Sequence, residues 1–180
     1  MADFGDVSST QTLTRQVSIA GSAFIGGATP PTGATIGSTP TVPALLFDAV
    51  AETATLTIEL PPDMDLTVDP TLEIVCALVS TETNNDVLSW SYDYVAVQKE
   101  VTGKGPVQTS TTATSTTTVT TANGLAIGDV YGAQLVIDAS DATNPLSAAE
   151  LIVVEIHLTN ITGVASIHVI AGHLHYTAKY

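Results

Sequence analysis

Residues 151–180 decide the fold of this chain and read LIVVEIHLTNITGVASIHVIAGHLHYTAKY. In the first half of this stretch, apolar and polar side chains alternate over residues 154–159. In the second half, strict alternation places His173 and His175 on the same face as the apolar residues that begin the strand. A period of two residues is typical of β-strands and not of helices. We therefore expect two closing strands, joined by a tight hairpin turn at residues 160–162.

Short strands separated by turn signals fill the middle of the chain as well. The segments PPDMD, ETNND and GKGP are typical of turns, and the Thr-rich run at 107–121 is typical of an edge or surface strand. The sequence thus predicts an all-β, antiparallel β-sandwich of about eight strands without a convincing helix. A jelly roll is the first choice of topology, and an immunoglobulin-like sandwich is the second. The expected strands span residues 44–48, 53–60, 72–79, 87–97, 107–121, 133–138 and the two closing segments.

Residues 1–43 differ from the rest of the chain because they are rich in Gly, Ser, Thr and Pro. One strand is possible at 13–25, but Pro30 and Pro40 mark the following residues as a spacer, since proline interrupts both helices and central strands. We therefore predict an extended N-terminal arm at 1–43 that gains order against a neighbour. The arm is followed by a jelly-roll domain at 44–180.

Eighteen acidic residues face four basic ones, which gives the 180-residue chain a net charge of −14. This charge opposes contact with nucleic acids and with anionic membrane surfaces, because both attract basic proteins. Two explanations of the acidity stay open: solubility at high copy number through self-repulsion, and a saline habitat. The length and the 44% hydrophobic content fit one folded domain. The acidic, polar start is unlike a secretory signal, so we expect synthesis in a cytoplasm.

His173 and His175 form the candidate metal pair of the sequence, since two imidazoles two residues apart on a strand point to one side and suit zinc. His157 or His168 would be a further ligand. No HExxH element accompanies the pair, and Cys76 lies in the apolar run LEIVCALV, where a buried, inert thiol is expected. Structural histidines are the favoured interpretation, so we predict neither a metal site nor a cofactor.

Asp63, Asp65 and Asp69 cluster in the segment PPDMDLTVDP. Calcium accepts carboxylate oxygens, but the spacing of an EF-hand is missing, and no residue marks a glycosidase-type pair of carboxylates. A solvated turn is the favoured interpretation. Because nucleophile, phosphate-binding and dinucleotide motifs are missing as well, we expect no catalytic residues and no enzymatic activity.

Trp90, Tyr92 and Tyr94 alternate along the strand expected at 87–97 and therefore share one face. Such a stripe either packs into the core or forms a platform on which sugar rings stack. A core position is favoured, because aromatic residues that alternate along a central strand are commonly buried.

Three segments together resemble a known pattern. They are LLFDAVAETATLTIELPPDMD at 45–65, DVLSWSYDYVAV at 86–97 and GHLHYTAK at 172–179. The pattern belongs to small jelly-roll proteins encoded among the virion genes of tailed viruses, namely capsid decoration, cement or head-fibre proteins. The resemblance covers roughly residues 44–180, and the Thr run and the strong acidity depart from the pattern.

The resemblance implies a virion protein, made in the host cytoplasm, that binds the outer surface of an icosahedral head. Its partners would be the major capsid protein and further copies of itself, arranged as a homotrimer at threefold or quasi-threefold positions. Neither nucleic acid nor a membrane is expected as a partner. Many identical copies would give avidity from modest individual contacts.

Two other classes of function stay open. One is a single jelly-roll major capsid protein of a tail-less icosahedral virus, which would build the shell itself and differs from a decoration protein in its copy number. The other is a carbohydrate-binding or receptor-binding β-sandwich module with a glycan receptor. A glycan array, read together with the exposure of Trp90 and Tyr92, would test this second class.

Overall fold

The computed structural model describes residues 13–79, 86–97, 111–119, 128–142, 144–147 and 150–179. Within these ranges the chain is mostly extended, with one 3₁₀ turn at Gly21–Ala23 and no α-helix. No helix in the described ranges has the length and the apolar character needed to cross a membrane. The described residues form eleven strands: β1 (Leu13–Ala20), β2 (Ile25–Gly26), β3 (Thr32–Ile36), β4 (Val42–Phe47), β5 (Thr53–Glu59), β6 (Thr71–Leu78), β7 (Asp86–Val97), β8 (Thr111–Val119), β9 (Val130–Val136), β10 (Leu151–Thr162) and β11 (Ile167–Ala178).

The strands form two antiparallel sheets with one core between them. Sheet A has the order β3–β4–β11–β6–β9, with β1 also paired to β11, and sheet B has the order β2–β5–β10–β7–β8. From β4 to β11, successive strands alternate between the sheets except for β7 and β8, which are neighbours in sheet B. This arrangement is a jelly roll. The predicted all-β, antiparallel jelly-roll sandwich is therefore confirmed, and the Thr-rich β8 is an edge strand.

The number of strands exceeds the predicted eight because residues 13–36 add three strands to the jelly roll. β1 pairs with β11 along its whole length, β2 pairs with β5, and β3 pairs with β4. Phe24 is 4% exposed and packs in the common core. The predicted boundary at residue 43 thus falls inside β4, and the described part of the predicted arm is sheet rather than extended chain. A role of residues 1–43 in assembly stays a prediction.

The core lies between the two sheets and is built by alternate residues of each strand. β7 contributes Trp90, Tyr92 and Tyr94, and the ring of Trp90 meets that of Phe47 edge-on, with 5.1 Å between the ring centroids. Burying one large apolar side chain contributes about 1.5–3 kcal/mol, so these contacts hold the sheets together. Cys76 is buried here as expected, and burial raises the pKa of its thiol to about 12.

The predicted hairpin at residues 160–162 is wrong. β10 lies in sheet B and β11 lies in sheet A, so the two closing strands pair with other strands and not with each other. Ile161 continues β10 and pairs with Leu88 of β7. The crossing between the sheets begins at Gly163, whose φ of 81° is a left-handed value that glycine adopts without steric cost.

A β-bulge interrupts β11 between Val169 and Ala171. Val169 faces the core before the bulge, and Leu174 faces the core after it. Because one extra residue reverses the alternation, His173 and His175 face outward instead of sharing a face with Val169. The prediction that the two histidines share a face with the apolar start of the strand is therefore wrong.

Candidate functional site

The outer face of sheet A carries two transverse rows of largely polar side chains. Directly paired residues of antiparallel strands point to the same face, so the register across β1, β11, β6 and β9 defines these rows. The first row consists of Ser18, His173, Glu73 and Gln134, and the second consists of Gln16, His175, Thr71 and Val136. We call Glu73, His173 and His175 the histidine–carboxylate cluster.

In the histidine–carboxylate cluster, two imidazoles share one carboxylate oxygen. Glu73 Oε2 lies 3.1 Å from His173 Nδ1 and 3.0 Å from His175 Nε2. The two rings stand edge to face, with centroids 6.0 Å apart. The three side chains are 24–32% exposed, so the cluster is accessible from solvent. Among the described residues, this is the one group that brings three His, Cys, Asp or Glu ligand atoms within 4.8 Å of one another.

The two histidines hold the pKa of the Glu73 carboxyl below its usual value. The hydrogen bond with His175 is the largest cause and the hydrogen bond with His173 adds to it, whereas partial burial acts in the opposite direction. Glu73 is therefore ionised at neutral pH and gives the cluster a fixed negative charge.

Gly132 of β9 provides the space in which the Glu73 side chain lies. A Cβ atom at Gly132 would stand 2.7 Å from Glu73 Cδ and closer still to Glu73 Oε1. Such distances lie far inside van der Waals contact, so a larger residue at this position would displace the carboxylate. β9 thus positions the acid of the cluster although it supplies no ligand atom.

The other two histidines lie outside the cluster, so neither is the additional ligand that the sequence suggested. His157 is on the outer face of sheet B, where its Nε2 lies 3.0 Å from Asp93 Oδ2 and 3.9 Å from Glu155 Oε2. His168 lies on β11 before the bulge and is paired with Leu46, and burial lowers its pKa.

Asp63, Asp65 and Asp69 lie between β5 and β6, and their carboxylates have separate partners. Asp63 Oδ2 accepts a hydrogen bond from Arg15 at 2.5 Å. Asp65 Oδ1 accepts hydrogen bonds from the backbone N–H and the hydroxyl of Thr67, which lower the pKa of Asp65, and Asp69 Oδ1 accepts a backbone N–H at 3.0 Å. The three carboxylates stabilise a loop, in agreement with the turn interpretation, and do not converge on one cation.

The aromatic stripe of β7 faces the core. Trp90 is fully buried, and the hydroxyls of Tyr92 and Tyr94 donate hydrogen bonds to the backbone carbonyls of Val136 and Asp138. The prediction that Trp90 is a core residue is confirmed. Every aromatic side chain that the structure describes is buried or half-buried, so none of them forms an exposed platform for a sugar ring.

Two surface grooves lined by described residues each contain at most one titratable side chain. The larger groove, of about 540 Å³, runs between β1 and β5, and Glu59 is the one titratable residue in its lining. The second groove, of about 410 Å³, lies beside β3, β4 and the 3₁₀ turn and has no titratable residue in its lining. General acid–base catalysis uses titratable side chains held within reach of the substrate, and these linings supply at most one.

Sequence reasoning found the two histidines of the cluster but missed Glu73. The available signal was its charge, since Glu73 is the one charged residue in the run 72–79, LEIVCALV. Its partner His173 is 100 positions away in the sequence, and the two meet because β6 and β11 are neighbours in sheet A. Strand alternation does not reveal which strands are neighbours.

Comparison with known proteins gives no sequence family, since neither a family model nor a curated protein matches the chain. Similar solved structures exist. The xylan-binding module CBM15 has 16% identity and a TM-score of 0.49, over 94% of this chain and 100% of that module. The CBM36-1 domain of a multidomain xylanase from the hindgut metagenome of Trinervitermes trinervoides has 7% identity and a TM-score of 0.47, over 89% of this chain and 96% of that domain. The structure of infectious bursal disease virus, Gx strain, has 13% identity and a TM-score of 0.40, over 95% of this chain and 33% of that one.

Proposed function

We propose that this protein is a structural, non-catalytic virion protein that decorates the outer surface of an icosahedral head and works as a homotrimer. Its partners are then the major capsid protein and two further copies of the chain, and its location is the capsid surface after synthesis in the host cytoplasm. The observation that supports the proposal is that the jelly-roll strands occupy nearly the same residues as the stretch that resembles decoration proteins. Strands β4 to β11 run from Val42 to Ala178, which is close to the stretch that resembles capsid decoration proteins.

The surface of the sandwich supports a role in binding a neighbouring protein rather than in catalysis. The outer face of sheet B presents short side chains such as Thr55, Ser91 and Val153. Short side chains lose little conformational entropy when a partner covers them. Such a part of sheet B can lie flat on a neighbouring protein, and many copies on one particle add avidity.

The carbohydrate-binding alternative has weaker support. The aromatic platform suggested for it at Trp90 and Tyr92 is not present, because these side chains are 0% and 2% exposed. The grooves near β1 and β3 contain no exposed aromatic ring in their described linings. Among the described residues, a glycan receptor would therefore have to be held without an exposed aromatic ring.

In the proposed trimer, the edges of the terminal strand β11 are not available, because β6 covers one edge and β4 and β1 cover the other. We propose that copies meet at β9, the last strand of sheet A, where Val130 and Val136 are 53% and 55% exposed. Like charges repel over a Debye length of about 10 Å at 0.1 M salt, so association at −14 per chain has to rest on apolar and hydrogen-bonded contact.

Native mass spectrometry and analytical ultracentrifugation of the full chain test the trimer. We expect a trimer that added salt strengthens, because salt screens the repulsion between the acidic chains. Val136→Lys should weaken the trimer. Val68→Lys makes the same change of charge at another exposed valine and should leave the trimer intact. A monomer at every salt concentration, or an equal loss in both variants, would contradict the proposed assembly.

A further inference from the structure

The histidine–carboxylate cluster points to a role that does not depend on attachment to a capsid. We propose that Glu73, His173 and His175 bind one divalent transition-metal ion, with zinc as the ion to test. The ligand atoms are Glu73 Oε2, His173 Nδ1 and His175 Nε2. The expectation of no metal site rested on missing further ligands, and the structure supplies one from β6.

The spacing of the three ligand atoms is close to that in a metal site. Bonds of about 2.0–2.1 Å in a tetrahedral zinc site separate neighbouring ligand atoms by about 3.3 Å. Glu73 Oε2 stands 3.1 Å and 3.0 Å from the two imidazole nitrogens, and all three atoms lie within 4.8 Å of one another. Small side-chain rotations are therefore enough to admit an ion.

The donor set selects the class of ion. Calcium and magnesium prefer oxygen ligands, whereas two imidazoles with one carboxylate suit zinc and related first-row transition metals. An imidazole binds a metal through a deprotonated nitrogen, so any proton between these nitrogens and the carboxylate leaves when the ion enters. Three protein ligands leave at least one coordination position for water.

Three strands preorganise the cluster. β11 presents both histidines on one face beyond its bulge, and β6 places Glu73 directly opposite His173. Gly132 of β9 leaves room for the Glu73 side chain. Ligands on adjacent strands inside a sheet are held more precisely than ligands on loops, so little order has to be gained on binding.

The charge distribution also favours a cation at this site. The chain has a net charge of −14, and the two described basic side chains, Arg15 and Lys179, are engaged by Asp63 and Asp65. Within the described part of the chain, the ion pairs of Glu73 are with histidines alone. No lysine or arginine there competes with a metal ion for its carboxylate.

Isothermal titration calorimetry of the full, tag-free, chelator-treated chain with zinc chloride tests the site. We expect one bound ion per chain and a melting temperature raised by about 5–10 °C when zinc is at one hundred times its Kd. Removal of outer-shell partners of metal sites costs about 10–100-fold in affinity, so loss of a ligand in Glu73→Gln, His173→Asn or His175→Asn should cost at least about tenfold. His157→Asn is the matched control, because it removes an imidazole beside carboxylates on sheet B and should leave the affinity unchanged.

Gly132→Ala tests the geometry without changing a ligand. Its Cβ atom displaces the Glu73 carboxylate, so the zinc affinity should fall toward that of Glu73→Gln while the metal-free chain still melts cooperatively. Gly33→Ala is the control for this substitution, because a Cβ atom at Gly33 meets nothing within 4 Å. Equal zinc affinity in the two glycine variants would contradict the proposed role of Gly132.

A measurement on the unaltered chain keeps the site testable even where a variant does not fold. In imidazole nitrogen NMR spectra, zinc should shift the signals of His173 and His175 and leave those of His157 and His168 in place. Zinc that shifts neither His173 nor His175 would overturn the site. Equal zinc affinity in the ligand variants and in His157→Asn would overturn it as well.

Discussion

β7 and β11 are both twelve-residue strands inside their sheets, yet they point their most distinctive side chains in opposite directions. β7 buries Trp90 and two tyrosines between the sheets. β11 turns His173 and His175 outward, where they meet Glu73 of β6. The same alternation along the chain therefore gives a core stripe in one strand and a candidate binding site in the other.

The difference follows from the residues that alternate with each stripe. In β7 the positions that alternate with the aromatic residues include Ser91 and Asp93. These polar side chains are hydrated more favourably than aromatic rings, so they face solvent and the aromatic residues face the core. In β11 the alternate positions include Leu174 and Tyr176, so the histidines take the outer face. Apolar burial is worth about 25 cal/mol per Å², and burial of an unpaired ionisable group is costly, so the more apolar set faces the core.

Truncation of one side chain in each strand tests whether β7 and β11 differ in this way. Trp90→Ala removes a fully buried ring that contacts Phe47, and it should lower the free energy of unfolding by about 3–5 kcal/mol. His173→Ala, on the outer face, should lower it by less than about 1 kcal/mol in the metal-free chain. Urea unfolding followed by circular dichroism measures both. A Trp90→Ala chain as stable as the parent would contradict the core position and favour a sugar-binding platform.

The sequence predicts the histidine pair of the candidate site but not its direction or its acid. Direction depends on the bulge after Val169, which adds one residue to β11 without a Gly or Pro signal at that point. The acid depends on the sheet order, because Glu73 reaches His173 from a strand that is remote in sequence. A strict period of two, counted from the start of β11, misses the bulge, and no local pattern shows which strands are neighbours.

The jelly roll is easier to predict than the strands added to it. β4 to β7, β10 and β11 each have a clear buried set, which locates them within a few residues. β3 lies within the predicted spacer because Pro30 and Pro40 stand on either side of it. The sequence predicts an arm at residues 1–43 for a similar reason. β1 places only Val17 and Ile19 against the core, so its sequence looks like that of a surface segment.

A smaller effect is expected from pH at His168, which lies on β11 before the bulge. Burial lowers the pKa of His168 from its usual value of 6.5, so the unfolded chain takes up this proton more readily than the folded chain does. The stability contributed by neutral His168 is present above that value and is lost as the pH falls through it. The paired residues Leu46 and Ala77 carry no charge that would compensate.

His168→Asn should therefore flatten the dependence of the free energy of unfolding on pH between about 7 and 5. Urea titrations of the parent and the variant at several pH values measure the difference between the two slopes. The other histidines are present in both chains, so their contribution cancels in this comparison. Identical slopes would contradict a lowered pKa at His168.

A cryo-electron-microscopy map of the proposed virion would distinguish a capsid decoration protein from a shell-forming protein. We predict jelly-roll densities grouped in threes on the outer surface, at threefold or quasi-threefold positions, above a shell built by a different protein. A shell built by this chain itself would contradict decoration and support the major-capsid alternative. A particle that lacks the chain would contradict the assignment to the virion.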